Sequence, residues 1–382
     1  MDVRFYAHLM NTPNQYPNPL LDTYGLGSLR LPNRVVMAPM TRLRADRSGV
    51  PGDLMATYYA QRAEAGLIVS EGIAPDVPGQ QYLTEPGLYT DAQVRGWRRV
   101  TDAVHAAGGR IFAQLMHAGR SGHPANRPDG GTPVGPSAVP RTDPVHTLDG
   151  KVAPVAPRAM SVREISETVA AYAGAARAAL RAGFDGVEIH GANGYLPHQF
   201  LADNTNLRTD AYGGGTSGRV RFPVEVTEAV ADAVGADRVG LRISPGNSQF
   251  EMVERDPDPV YRELLRLVSP LGLAYLHVTE DPARTVLARA RRLWEGALVG
   301  NTGEHEETTA ESATALVAEG RADLVSVGRP YIANPDVVGR LAARVPWATI
   351  REKDFHYTTG PRGYVDYPGH NGTKGNFVAP LT

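Results

Sequence analysis

Cysteine is absent from this chain of 382 residues. That excludes disulfides, a thiolate nucleophile, cysteine-ligated zinc and cysteine-held iron–sulfur clusters, so any redox chemistry has to come from a bound organic cofactor or from a metal on other ligands. Lysine is nearly absent as well, occurring only at Lys151, Lys353 and Lys374. The positive charge therefore rests on arginine, which grips oxyanions in bidentate geometry and forms no Schiff base. Charge of one sign is not in excess: Lys+Arg number 39 against 41 Asp+Glu, a formal net charge of -2. Nothing in that balance calls for a nucleic acid or an anionic membrane as partner. Long apolar runs are also missing. No segment approaches the ~18 residues of a membrane span, and the opening "MDVRFYAHLMNTPNQYPNPLL" has no continuous apolar stretch of a signal peptide. The absences together predict a soluble, cytoplasmic protein with neither a nucleic acid nor a membrane as partner, and leave monomer and homodimer both open.

What is present is a recurrence. Short apolar runs come near Val36, Val69, Ala113, Ile189, Leu241, His277, Val299 and Val325, and helix-like segments, not tight hairpin turns, separate most of them. Before Gly186, Ser161 and Glu164 stand at capping-box spacing, and Ile165, Val169, Tyr172 and Ala176 follow at helical intervals. The same alternation surrounds "GWRRVTDAVHAAGG" and "TAESATALVAEG", each ending at glycine. An eight-fold βα recurrence predicts an α/β fold, a single (β/α)₈ TIM barrel over about residues 20–345. One connection breaks the pattern. The Gly/Pro-rich stretch from Ala118 to Met160 is far longer than the ~2–6 residues usual for a βα loop, so it is either an active-site cover or a disordered insert, and its place after the third strand favours the cover. The tyrosine-rich tail from about 350 to 382 is expected to fold back over the barrel mouth.

In such a barrel chemistry belongs at the C-terminal strand ends. The polar residues there are Thr41, Glu71, Gln114, His190, Arg242, Thr279, Asn301 and Arg329. The stretch "GVEIHGANGYLPHQFL" is the most informative. Alternation puts Glu188 and His190 on one strand face, and a His and an Asn three residues apart, His190 and Asn193, can both donate to one carbonyl oxygen. Tyr195 beside them can deliver a proton. The alternative is structural: His190 and Asn193 cap the next segment and Tyr195 is an ordinary half-buried aromatic. Glu188 reads as a charge paired inside the barrel. Gly303, Gly328 and Arg329 close the seventh and eighth strands, where barrels commonly bind phosphate through backbone N–H groups and a positive charge.

"LPNRVVMAPMTRLRA", "AQLMHAGR", "IHGANGYLPHQFL", "NLRTDAYGG", "VGLRISP", "VGRPYIANPD" and "GYVDYP", in order from Leu31 to Pro368, resemble the successive signatures of the old yellow enzyme family of FMN-dependent ene-reductases. Thr41 in "APMT" fits the classical branch. The resemblance implies a single FMN-binding barrel domain, 1–382, with Pro39, Met40, Thr41 and Gly72 along the flavin and Gln114 on its pyrimidine edge. It places Arg242 near N1 and the C2 carbonyl, and Gly303, Gly328 and Arg329 on the ribityl phosphate. It further implies NADPH or NADH as hydride donor, His190 and Asn193 on the carbonyl of an enone-type substrate, hydride from flavin N5 to Cβ and a proton from Tyr195 to Cα. Met116 and Tyr357 would line the substrate. Two departures from the family pattern fall at the pocket and the flavin, Met116 where many members have Trp and Gly72 where Ala is usual; two more are Gly215, where "YGGG" replaces the commoner "YGGS", and Pro197 in "GYLPHQF". The thioether predicts a more deformable wall. The competing functions are reduction of nitro compounds, nitrate esters or quinones in the same pocket, and a flavin-free phosphate-binding isomerase with Glu71 or Glu188 as base.

Overall fold

The apolar runs become the eight parallel strands of one closed barrel. They are β1 (Val35–Met37), β2 (Leu67–Ile73), β3 (Ile111–Leu115), β4 (Gly186–Gly191), β5 (Val239–Ile243), β6 (Tyr275–Thr279), β7 (Leu298–Asn301) and β8 (Leu324–Val327). The computed structural model describes residues 18–281, 283, 285–303, 307–351 and 359–370. Each strand pairs with the next in chain order, and β8 returns to β1 through Val325–Val35, Ser326–Val36 and Val327–Met37, which leaves the barrel without an edge. Every residue of all eight strands is buried, as parallel strands covered on both faces must be.

Some of the helices begin at capping side chains and others do not. On α1 (Asp53–Ala60) no side chain caps the first turn, whereas α2 (Asp91–Ala106) starts at the reciprocal pair Thr90 and Gln93 and α3 (Val162–Arg181) at Ser161 and Glu164. Of the predicted stripe along α3, Ile165, Tyr172 and Ala176 are buried and Val169 is half-buried. Trp97 of α2 packs on Phe184 with ring centroids 5.0 Å apart.

Inside the barrel, two glycines make room for two rings. A β-carbon on Gly186 would stand 2.4 Å from the Phe112 ring, and one on Gly240 would stand 2.2 Å from that of Tyr275. Those rings stack at 5.9 Å, and below them Leu26 and Leu31 complete the apolar cluster. Both leucines belong to a hairpin, Tyr24–Leu26 against Leu29–Leu31, which closes the N-terminal end. The eight-fold pattern gives no sign of it, because three-residue strands carry too little periodicity.

The 118–160 excursion is folded, not a disordered insert. It holds a hairpin, Val145–Thr147 with Gly150–Val152, and a parallel pair, Val134–Gly135 with Arg158–Ala159. Buried Arg120 ties it to the loop after β5, donating to Pro140 O at 3.2 Å and Phe250 O at 2.6 Å. The described part of the tail docks at the mouth's rim: Tyr364 stacks on Tyr58 of α1 at 4.1 Å, and Arg42 donates to Gly363 O at 2.9 Å.

Candidate active site

His190 leaves β4 on the inward face, and the chain turns at once. Asn193 has φ 53 and Gly194 φ 78, the left-handed region that a non-glycine residue enters only when its surroundings hold it there. Here they do. The Asn193 N–H donates to Ser244 Oγ at 2.8 Å, the Gly194 N–H to His198 Nδ1 at 2.9 Å, and Gln199 Nε2 donates to Gly194 O at 2.8 Å. His198 therefore carries its proton on Nε2, 3.3 Å from Glu254 Oε2. His198 and His117 are buried and accept backbone N–H groups, a capping role rather than a ligand's.

The turn brings His190, Asn193 and Tyr195 together. The rings of His190 and Tyr195 lie 4.7 Å apart, and Phe250 meets Tyr195 edge-on at 5.6 Å. Burial, with Arg242 next, pushes the His190 imidazole well below its ordinary pKa, so it is neutral at pH 7. His190 Nδ1 and Asn193 Oδ1 are buried with no hydrogen-bond partner among the described residues. A buried polar group left so costs about 1–3 kcal/mol; a ligand carbonyl could accept from a ring N–H of His190 and from the amide N–H of Asn193, while the Asn193 oxygen needs a donor. A structural capping role for this pair would have used those atoms.

Beneath the turn, a polar network fills the barrel axis. Glu188 accepts from Gln114 Nε2 at 2.8 Å and Tyr275 OH at 3.0 Å, and meets His277 Nδ1 at 2.8 Å. His277 Nε2 continues to Ser326 Oγ at 2.7 Å. Glu188 is thus the paired interior charge expected of it, and His277, Arg242 and Gln114 hold its carboxyl below the usual range despite burial. With Nε2 committed to Glu188, Gln114 keeps Oε1 as an acceptor, which fits the N–H of a pyrimidine edge. Arg242, paired in register with His190 and His277, reaches Thr279 Oγ1 at 3.4 Å.

The loop after β1 carries Pro39, Met40 and Thr41, all half-buried at the mouth. Glu71 fixes it: Oε2 accepts the N–H groups of Arg42 and Leu43 at 3.2 and 3.1 Å, and Oε1 accepts from Tyr59 OH at 3.2 Å. Leu43 at φ 57 is strained. Both carboxylates named for a flavin-free isomerase, Glu71 and Glu188, are consumed by structural hydrogen bonds.

At the ends of β7 and β8 stand Gly303, Gly328 and Arg329. Gly303 has φ 90, and a β-carbon there would press on Glu280 O at 2.6 Å, so glycine is required. Its N–H is turned to Asn301 Oδ1 at 3.1 Å. Gly328 has room for a side chain: a β-carbon there would come no nearer than 3.7 Å to Ala38 and 3.9 Å to Met40. Arg329 is exposed at the start of the short helix Pro330–Ala333. A bare glycine, a guanidinium and free space side by side fit a phosphate.

Met116 is buried, and its sulfur lies where a β-carbon on Gly72 would be 2.5 Å away. These two departures from the family pattern are thus one packing unit. Tyr357 lies outside the described residues. Sequence reasoning missed Gln81, whose Oε1 accepts from Tyr195 OH at 2.7 Å; no motif surrounds it.

A parallel barrel that places an electrophile grip and a phenol above a buried charge network, with a phosphate-fitting corner alongside, defines a cofactor-binding oxidoreductase. The relatives narrow the class. The profile of the NADH:flavin oxidoreductase / NADH oxidase family matches residues 20–347. A probable flavin mononucleotide-dependent alkene reductase of Leishmania infantum is 44% identical over 355 residues, 90% of this chain and 95% of that protein. The old yellow enzyme homologue of Zymomonas mobilis superposes with a TM-score of 0.87 at 40% identity, over 91% of this chain and 99% of that one. Morphinone reductase in complex with tetrahydroNAD gives 0.86 at 42% identity, over 93% and 98%. The chain belongs to this family, that of the old yellow enzymes.

Proposed function

We propose that this protein is an ene-reductase that holds FMN in one barrel domain and reduces the C=C bond of α,β-unsaturated carbonyl compounds, with NADPH or NADH as electron source. The observation that carries the reading is the turn that gathers the His190 ring and the Asn193 amide, both able to donate an N–H and neither side chain tied up by a hydrogen bond among the described residues, beside the Tyr195 phenol. Bound FMN, once reduced, supplies the hydride that goes to Cβ. Neutral His190 and Asn193 hold the carbonyl oxygen and stabilise the charge that develops there. Tyr195 gives the proton to Cα. Thr41 and Gln114 hold the flavin's polar edge, and Arg242 sets a fixed positive charge there. Pro39, Met40 and Gly72 pack along the ring system, while Gly328 and Arg329 take the phosphate and Gly303, its N–H held by Asn301, adds no side chain to that corner. Met116 shapes the substrate wall.

Two arginine variants test the orientation of the cofactor. Arg329→Ala is expected to lose FMN on dialysis, because a phosphate contact acts on binding, whereas Arg242→Ala retains FMN but lowers its reduction potential, because its charge favours the anionic reduced state. Full flavin occupancy in Arg329→Ala after extensive dialysis would remove the phosphate assignment.

A further inference from the structure

Gln81 brings a polar side chain to the Tyr195 hydroxyl from an element outside the His190–Tyr195 turn. It is 1% exposed, a depth at which glutamine is uncommon unless its amide is used. Its placement is built in detail. Glu85 Oε2 accepts the N–H groups of Gln81 and Tyr82 at 2.6 and 3.1 Å. Gln80 Nε2 donates to Tyr82 O at 2.9 Å, and Asp76 Oδ1 accepts the Gly79 N–H at 2.7 Å. This loop, between β2 and α2, is shaped so that one amide meets one phenol.

We propose that Gln81 is a positioning residue for the proton-transfer step, accepting the hydrogen bond of the neutral phenol and, with its amide turned over, donating to the phenolate left behind. The proposal rests on the reading of Tyr195 as proton donor. In that step the Tyr195 O–H bond breaks and its electron pair stays on the phenolate oxygen. The proton forms the Cα–H bond with the electron pair that hydride delivery to Cβ leaves on the substrate, and a proton from water later restores the phenol. The phenolate is the costly species in a buried site. His190 beside it is neutral, and Phe250 offers only an apolar edge. A glutamine amide can accept from the phenol and donate to the phenolate without titrating itself, and a hydrogen bond to an ionised oxygen is the stronger kind.

The test uses FMN-loaded protein reduced by NADPH or NADH and mixed with 2-cyclohexenone, the return of flavin absorbance being followed in H₂O and D₂O. Gln81→Leu is expected to slow reoxidation by about ten-fold, part of the 10²–10⁴ that a general acid contributes, and to raise the solvent isotope effect. Its flavin spectrum, midpoint potential and reoxidation by oxygen should match wild type. Gln81→Glu should be slow at the alkaline end of a rate profile from about pH 5 to 9, where a carboxylate can only accept, and recover toward the acid end, because burial raises a carboxyl above the ordinary ~4.3 and the protonated form both donates and accepts. Gln81→Leu at the wild-type rate with an unchanged isotope effect, or Gln81→Glu without acid recovery, would overturn the role of Gln81 while Tyr195→Phe stays slow. A Tyr195→Phe variant as fast as wild type would overturn the reading of Tyr195 and the role of Gln81 with it.

Discussion

Met116 and Gly72 show how one side chain depends on the absence of another. The thioether lies over the bare Cα of residue 72, with its sulfur and methyl 2.5 and 2.6 Å from where a β-carbon would be. Methionine fits because it is unbranched and bends around its neighbour. An indole at the same point has no such freedom. Met116→Trp should therefore push into the pocket, narrow the accepted range of β-substituted cyclohexenones and change the product enantiomer ratio, at a stability cost of about 1–3 kcal/mol for overpacking. FMN content should stay the same. Rates and enantiomeric excess over a small substrate series measure this, and an unchanged profile would mean that Met116 does not face the substrate. Alternation beyond Gln114 put Met116 on the inward side, but the dependence on Gly72 was not legible, since it arises between two strands.

Among the elements, strands and capped helices were readable and the loops were not. The eight strands sit where the apolar runs predicted them because each is buried on both sides, and α3 begins at Ser161 because Ser161 and Glu164 satisfy each other's first-turn groups. The segment from Gly79 to Glu85 shows the opposite. Its shape depends on Glu85, whose carboxylate oxygen holds two backbone N–H groups, and no spacing rule announces such a contact. Burial pushes the Glu85 carboxyl from 4.5 up to about 8, against the pull of those two N–H groups. A carboxyl raised on folding contributes stability that is complete below its unfolded value and lost as the pH climbs through the folded one. The window here runs from about 4.5 to about 8. Glu85→Gln keeps the acceptor and cannot ionise, so it should exceed wild type in stability near pH 8 by up to a few kcal/mol on the order of the linkage limit, with the gap closing toward pH 4.5. Urea midpoints across that range measure it; two parallel curves would mean that Glu85 does not titrate in the folded protein.

On the scale of the whole molecule, the barrel gathers residues far apart in sequence at one mouth: Thr41 after β1, Gln114 on β3, the His190 turn after β4, Arg242 on β5, and the corner of Gly303, Gly328 and Arg329 after β7 and β8. Those positions were legible because strand ends of a parallel barrel point one way. Gln81 and the Glu188–His277–Ser326 line were not, because they are contacts across the axis or between loops, and sequence spacing records neither. No helix among the described residues is long and apolar enough to cross a membrane.

The central claim is that the His190–Asn193 grip and the Tyr195 phenol act on an enone above FMN. Anaerobic reduction by NADPH or NADH followed by rapid mixing with 2-cyclohexenone or with oxygen tests it most directly. The account predicts that wild type bleaches with the nucleotide and regains its yellow colour with the enone, yielding cyclohexanone. His190→Ala and Asn193→Ala should slow the enone reaction on the order of 10²-fold while oxygen reoxidises them normally, since oxygen needs no carbonyl grip. Equal losses with both oxidants, or a reduced flavin that the enone does not reoxidise, would contradict it.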